Sequence, residues 1–195
     1  MTRWLVVAGL VAGLGGCASP EPAYFTLAPV PAVGVAGGPR LVELRRIGLA
    51  GYLDRPEIVR ANGAYSLKLA GTERWGEPLG DLVARILAED LNARLPGTSV
   101  FTASGAISAE ANATVELDIQ RFGAGSSGAG TDAVGEVTLL AQVAVSRGRG
   151  RANAVARAVR LQVRPAGPGT GELVAAMSQA LGLLADAVAG MLRGG

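Results

Sequence analysis

The chain has 195 residues, with 18 basic against 16 acidic side chains, one cysteine and no histidine. So even a charge balance is no nucleic-acid footprint, and without histidine the commonest general base and the commonest metal ligand are both missing. With 49% hydrophobic residues, a mature chain of about 180 residues can bury a core large enough for one domain without staples.

At the N-terminus a single positive charge, Arg3, precedes an uncharged apolar run over residues 4–14, shorter than the roughly 20 residues that a membrane-spanning helix needs. Leu14, Gly15, Gly16 and Cys17 follow. An apolar residue, two small ones and a lone cysteine resemble the lipobox of bacterial lipoproteins, in which the thiol is acylated and cleavage leaves the cysteine N-terminal. The alternatives are an ordinary secretory leader cleaved after Ala18, or a buried free thiol; the position and uniqueness of Cys17 argue against both. The reading divides the chain into a signal peptide (1–16), the lipidated Cys17 with an extended spacer (17–38), and a single α+β domain (39–195). With its only cysteine taken by lipid, an exported chain has no disulfide, so core burial must supply its stability. The spacer is rich in Pro, Gly, Ala and Val, interrupted by Tyr24-Phe25-Thr26-Leu27 as a short strand. At about 3 Å per extended residue it would hold the domain tens of ångströms from the bilayer.

In the domain, Val42 and Leu44 alternate with polar neighbours, while Ile47 and Leu49 fall on the opposite phase, which predicts a strand with a bulge near Arg45 and Arg46. Residues 58–61 and 64–69 flank Asn62-Gly63, the signature of a two-residue hairpin turn. Leu79, Leu82, Val83, Ile86, Leu87, Leu91 and Leu95 recur at helical spacing behind Pro78, and Pro96-Gly97 ends the run. The opposite face carries Asp81 with Arg85 and Asp90 with Arg94, spaced as solvent-facing helix pairs. Strands are expected at 100–102, 114–122, 136–146 and 154–163, the last three with alternating patterns, joined by hairpin loops at 123–130 and 147–151. Leu173, Met177, Leu181, Leu184, Val188 and Met191 form a second helical stripe. The predicted fold is α+β, an antiparallel β-sheet with two amphipathic helices packed on one face, in the order strands, helix, strands, helix.

Few residues carry chemistry. Gly123, Gly125 and Gly128 match the dinucleotide fingerprint in spacing, but a strand follows them where that motif needs a helix N-terminus. Arg147, Arg149 and Arg151, interleaved with glycines, suit a solvated loop or, in a lipidated protein, anionic lipid head groups; no aromatic residue interleaves them as a base-stacking platform. No catalytic residue, metal site or cofactor is expected: the carboxylates fall on solvated faces, and Ser126 and Ser127 have no base to activate them. Residues 51–59 differ, setting Tyr52, Asp54, Arg55 and Pro56 in a corner stiffened by proline between two strands. That corner reads as a local turn or as a contact surface for a partner. Trp75, just ahead of the first helix, caps the core or joins such a surface.

These stretches carry a family resemblance. Tyr52-Leu-Asp-Arg-Pro-Glu-Ile-Val59 and Arg74-Trp-Gly-Glu-Pro-Leu79 resemble the PqiC/YmbA-like lipoproteins, auxiliary components of ABC-type transport systems built around MCE-domain proteins. Residues 24–27 and the Leu173, Ala175, Ser178, Ala180, Leu181 pattern fit more loosely. The resemblance implies a non-enzymatic, periplasm-facing lipoprotein that helps an MCE-domain partner move phospholipids or other hydrophobic molecules between inner and outer membranes, and leaves room for a homo-oligomer. Ala18 is not the aspartate that retains many such proteins in the inner membrane, which by analogy favours the outer one. Two other readings stand beside it: a lipid carrier with a cavity between helices and sheet, and a structural envelope lipoprotein without a transport partner.

Overall fold

A computed structural model describes residues 20–103, 105, 109–126, 134–148 and 154–194. They form, in chain order, β1 (Ala23–Phe25), β2 (Leu41–Leu44), β3 (Gly48–Leu49), β4 (Glu57–Ala61), β5 (Leu67–Trp75), α1 (Leu79–Arg94), β6 (Ser99–Thr102), β7 (Ala113–Ser126), β8 (Val134–Arg147), β9 (Val155–Val163) and α2 (Thr170–Arg193). The expected α+β class with two helices holds, but the expected purely antiparallel sheet does not. The strands make two mixed sheets, β1-β5-β4 and β6-β2-β7-β8-β9, with β3 also pairing β7. β2 runs parallel to both β6 and β7, and β1 parallel to β5; only β4-β5 and β7-β8-β9 are antiparallel. Alternation at Val42 and Leu44 marks a half-buried strand without fixing its direction. The direction comes from the connection, because the chain returns from β2 to β6 through α1, the kind of crossover that parallel neighbours require.

Two bulges keep apolar residues on the core side. Leu44 pairs with Val115 and Gly48 with Asp118, so four steps on one strand span three on its neighbour. The extra residue at 45–47 flips the phase, as the sequence pattern predicts, and both Leu44 and Ile47 are buried. A second bulge leaves Gln120 unpaired between the Ile119–Ala141 and Arg121–Leu140 pairs, turning Phe122 and Ala124 inward after Ile119. The Asn62-Gly63 turn is longer than expected. Just past the last ladder pair, Asn62 N–H donates to the Ser66 carbonyl (2.9 Å), so Gly63, Ala64 and Tyr65 make the turn with Gly63 at φ 83°.

α1 packs on β6 and α2, and α2 lies over β7, β8 and β9. Leu82, Leu87, Leu91, Ile119, Leu139, Leu181 and Leu184 meet in the resulting core and are fully buried. α2 is long and apolar enough to cross a membrane, with a mean hydropathy of 1.5, but 67% of that stretch is buried inside the fold; here it is the core helix.

The stretch expected as a spacer is extended, but from Ala23 onward it lies on the fold. β1 pairs with β5, Leu27 is buried, and the next residues strap α1 to α2. Ala28 N–H donates to Ser178 Oγ (3.1 Å), Val30 N–H to Asp90 Oδ1 (2.8 Å) and Val35 N–H to the Arg94 carbonyl (2.9 Å). α2 admits the strap by having Gly182 beneath it: a Cβ there would stand 2.9 Å from Val30 Cβ. The Asp90–Arg94 pair therefore does not face solvent as its spacing suggests. Asp90 is 0% and Arg94 3% exposed, with Arg94 Nη1 donating to Asp90 Oδ1 (3.1 Å) and the Val30 carbonyl (3.3 Å), and Nε to Asp186 Oδ1 (2.6 Å). Arg85 does lie on the surface, paired with Glu77 and Glu89 rather than with Asp81.

Candidate interaction surface

Residues 50–56 carry the chain from β3 to β4 in a tight corner. Leu53 N–H donates to the Ala50 carbonyl (2.8 Å) and Arg55 N–H to the Leu53 carbonyl (2.9 Å), while Ala50 N–H holds the start of the corner to the Ile119 carbonyl on β7 (2.9 Å). Leu53 is buried as the corner's anchor. Tyr52 reaches the second bulge, its hydroxyl donating over a long 3.4 Å to the Gln120 carbonyl. Burial pushes the Tyr52 phenol above its ordinary pKa, an effect that the Arg121 charge only partly offsets, so the hydroxyl stays a protonated donor.

The two stretches that carry the family resemblance meet here. Trp75 N–H donates to the Pro56 carbonyl (2.8 Å), and Gly76 N–H to the Phe25 carbonyl (2.9 Å), joining the corner, the end of β5 and β1. Of the predicted contact residues, Asp54 and Pro56 are exposed and Tyr52 and Arg55 half-buried, all on one corner. Trp75 is 5% exposed and belongs to the buried core, so of the five predicted contact residues only the other four reach the surface. The Nε atoms of Arg55 and Arg74 are buried with no hydrogen-bond partner.

Three clefts open beside these elements. One of about 570 Å³ separates the corner and the end of β7 from the β4–β5 hairpin, lined by Tyr52, Val59, Tyr65, Leu67, Arg121 and Phe122. A groove of about 680 Å³ runs over the outer face of the sheet past Arg45, Glu116 and Asp118, and one of about 540 Å³ lies between the strap and α2 beside Asp186. All three are outer surfaces, and among the described residues the leucine-rich core lies between helices and sheet. Among the described residues, no group of three or more Cys, Asp or Glu gathers to hold a metal ion.

Arg147 turns away from the loop in which the sequence places it. Its Nη2 donates to the Met191 (3.0 Å) and Leu192 (2.6 Å) carbonyls, capping the last turn of α2, where unsatisfied carbonyls and the helix dipole favour a cation. Removing that cap with Arg147→Ala is expected to lower stability by about 1–2 kcal/mol, read from the urea midpoint, with no change in membrane attachment. Arg149, Arg151 and Cys17 lie outside the described residues. Gly123 and Gly125 of the fingerprint-like stretch are strand residues of β7.

Sequence reasoning missed Arg60, Glu73 and Thr170, which tie the β1-β5-β4 sheet to the start of α2: Thr170 Oγ1 meets both the Arg60 guanidinium and the Glu73 carboxylate, which are themselves paired. The three are 13 to 110 residues apart, and no local pattern announces them.

Comparison with known proteins adds the family. The chain matches the family described as ABC-type transport auxiliary lipoprotein component over residues 25–189. No curated protein matches it. A crystal structure of an uncharacterised protein superposes with a TM-score of 0.70 at 17% identity, covering 87% of this chain and 97% of the other. A Xanthomonas campestris protein of the family DUF330 gives 0.66 at 15% identity, covering 89% and 93%. Both likenesses are of fold.

Proposed function

The chain belongs to the ABC-type transport auxiliary lipoprotein family, and on that premise we propose that it is a non-enzymatic adaptor, anchored through acyl chains on Cys17 at the periplasmic face of the outer membrane. There it serves an MCE-domain protein of an ABC transport system that moves phospholipids or other hydrophobic molecules between the two membranes. The family match over nearly the whole folded chain carries the reading. The leucine-rich core that the described residues place between helices and sheet favours an adaptor over a lipid carrier, because a carrier needs an enclosed apolar chamber for its cargo. Tyr52, Asp54, Arg55 and Pro56 are the partner contact: they combine a half-buried aromatic, an exposed charge and a stiff backbone, so little conformational entropy is lost on docking.

Affinity purification of the full chain from detergent-solubilised envelopes tests this. The expected result is recovery of an MCE-domain protein at a fixed ratio; its absence, with the lipoprotein itself recovered intact, would leave the structural-envelope reading in its place.

A further inference from the structure

The β4–β5 hairpin displays apolar side chains that no other part of the described fold covers. Tyr65 in its turn is fully exposed, Leu67 and Leu69 on β5 are 51% and 42% exposed, and Lys68 between them is exposed as well. A projecting tip of this composition marks a contact with something apolar.

The route of the chain indicates what stands opposite. β1 runs parallel to β5, pairing Ala23 with Glu73. Followed backwards from Ala23, the strand axis therefore points along β5 toward the hairpin tip. Cys17 stands six residues before Ala23, and Leu67 six before Glu73; six extended residues reach at most about 20 Å. A bilayer that holds an acylated Cys17 is thus within one short tether of β1, and a tether that keeps the direction of β1 ends beside the hairpin tip. Tyr24, on the exit strand, is 66% exposed.

We propose that Tyr65, Leu67, Lys68 and Leu69 form a membrane-interface contact that seats the domain on the bilayer to which Cys17 tethers it, an inference that rests on the lipoprotein reading above. The chemistry fits a lipid surface. Tyrosine partitions to the head-group level and the leucines, on one face of β5, enter the upper acyl region, while Lys68, on the opposite face beside Arg60, reaches phosphates at the edge of the contact. Such a patch is a second membrane signal beside the acyl chains, and it fixes the orientation of the domain where lipid alone would leave it free to swing.

The test uses the full chain, processed in a Gram-negative host and reconstituted into vesicles of phosphatidylethanolamine and phosphatidylglycerol, with and without bromine in the upper acyl chains. Trp4 leaves with the leader and Trp75 is buried, so Tyr65→Trp adds one exposed reporter. Brominated vesicles are expected to cut its emission about twofold, as interfacial burial of about 5–10 Å implies, while leaving the Trp75 background unchanged. If the acylated protein sediments with the vesicles but the Tyr65→Trp indole stays open to water-soluble iodide, the seating is wrong and the lipoprotein reading survives. If mass analysis finds no acylated N-terminal cysteine, both fall. An indole shielded before vesicles are added means that a second copy covers the tip, which also overturns the proposal.

Discussion

Arg94→Ala is expected to destabilise the fold by about 3–5 kcal/mol, because it strips the cationic partner from a carboxylate that is fully buried. Asp90 would keep the Val30 N–H (2.8 Å), but its Oδ2 already lacks a partner, and the Val30 carbonyl would lose its donor. Against the 5–15 kcal/mol that holds a typical domain together, that loss is expected to move the urea midpoint by a large fraction of its value. Replacing both members, Asp90→Leu with Arg94→Met, is expected to recover part of it, since a packed apolar pair carries no charge-desolvation cost, while the Val30 N–H and carbonyl lose their side-chain partners.

The size of the Arg94→Ala effect also depends on pH. Burial raises the Asp90 pKa above the ordinary carboxylate value, outweighing the Val30 N–H and the Arg94 charge that lower it; Asp186 beside the pair raises it further. A raised native pKa means that the folded state binds its proton at higher pH than the unfolded chain, so this group's contribution to stability falls as pH rises from the ordinary carboxylate value through the raised one. Without Arg94 the native pKa climbs higher still. The stability gap between wild type and Arg94→Ala should therefore shrink on acidification from neutrality toward about pH 4, as the carboxyl neutralises and needs no partner. A gap that stays constant across that range would mean that Asp90 is not charged in the fold.

Cys17→Ala carries the other large effect. Each buried acyl CH₂ contributes about 0.8 kcal/mol to membrane binding, so losing the chains is expected to move the protein almost completely from the membrane to the soluble fraction, or to trap it as an unprocessed precursor. The hairpin patch alone would bind weakly and reversibly. The sheet begins at Ala23, so the melting temperature of the released protein should match that of the anchored one. A variant that remains both processed and membrane-bound contradicts the lipobox reading.

The sequence disclosed features whose cause is local. The phase flip from Leu44 to Ile47 is the bulge itself, and the stripe from Leu79 to Leu95 is the buried face of α1. What it hid depends on partners far away in the chain. Asp90 and Arg94 stand at the spacing of a solvent-facing pair, and only the strap and Asp186, 92 residues beyond Arg94, make them interior. Pro- and Gly-rich composition at residues 18–38 reads the same whether a segment floats or lies against a groove; Val30 over Gly182 decides which. Parallel pairing of β2 escaped for a similar reason, since alternation reports which face is buried and not which way a neighbour runs. At the corner, residues 52–56 were legible as stiff and aromatic, but the second bulge that receives the Tyr52 hydroxyl was not, because Phe122 reads as the simple end of a strand rather than as a residue past an insertion. The strap also changes the mechanics of the anchor. With Ala23 already in the sheet, the tether that an acylated Cys17 would provide shortens from some twenty residues to about six, or about 20 Å, so under the proposed anchoring the domain would work close against its membrane and meet its partner there.

That geometry makes the corner the place to test the adaptor. A photo-crosslinking side chain placed at Asp54, exposed on the corner, in the full chain in living Gram-negative cells is expected to form an adduct with an MCE-domain protein, while the same group at Glu89, exposed on α1, forms none. Wild-type levels of membrane-anchored protein that yield no such adduct from Asp54, or equal adducts from both positions, would contradict the account.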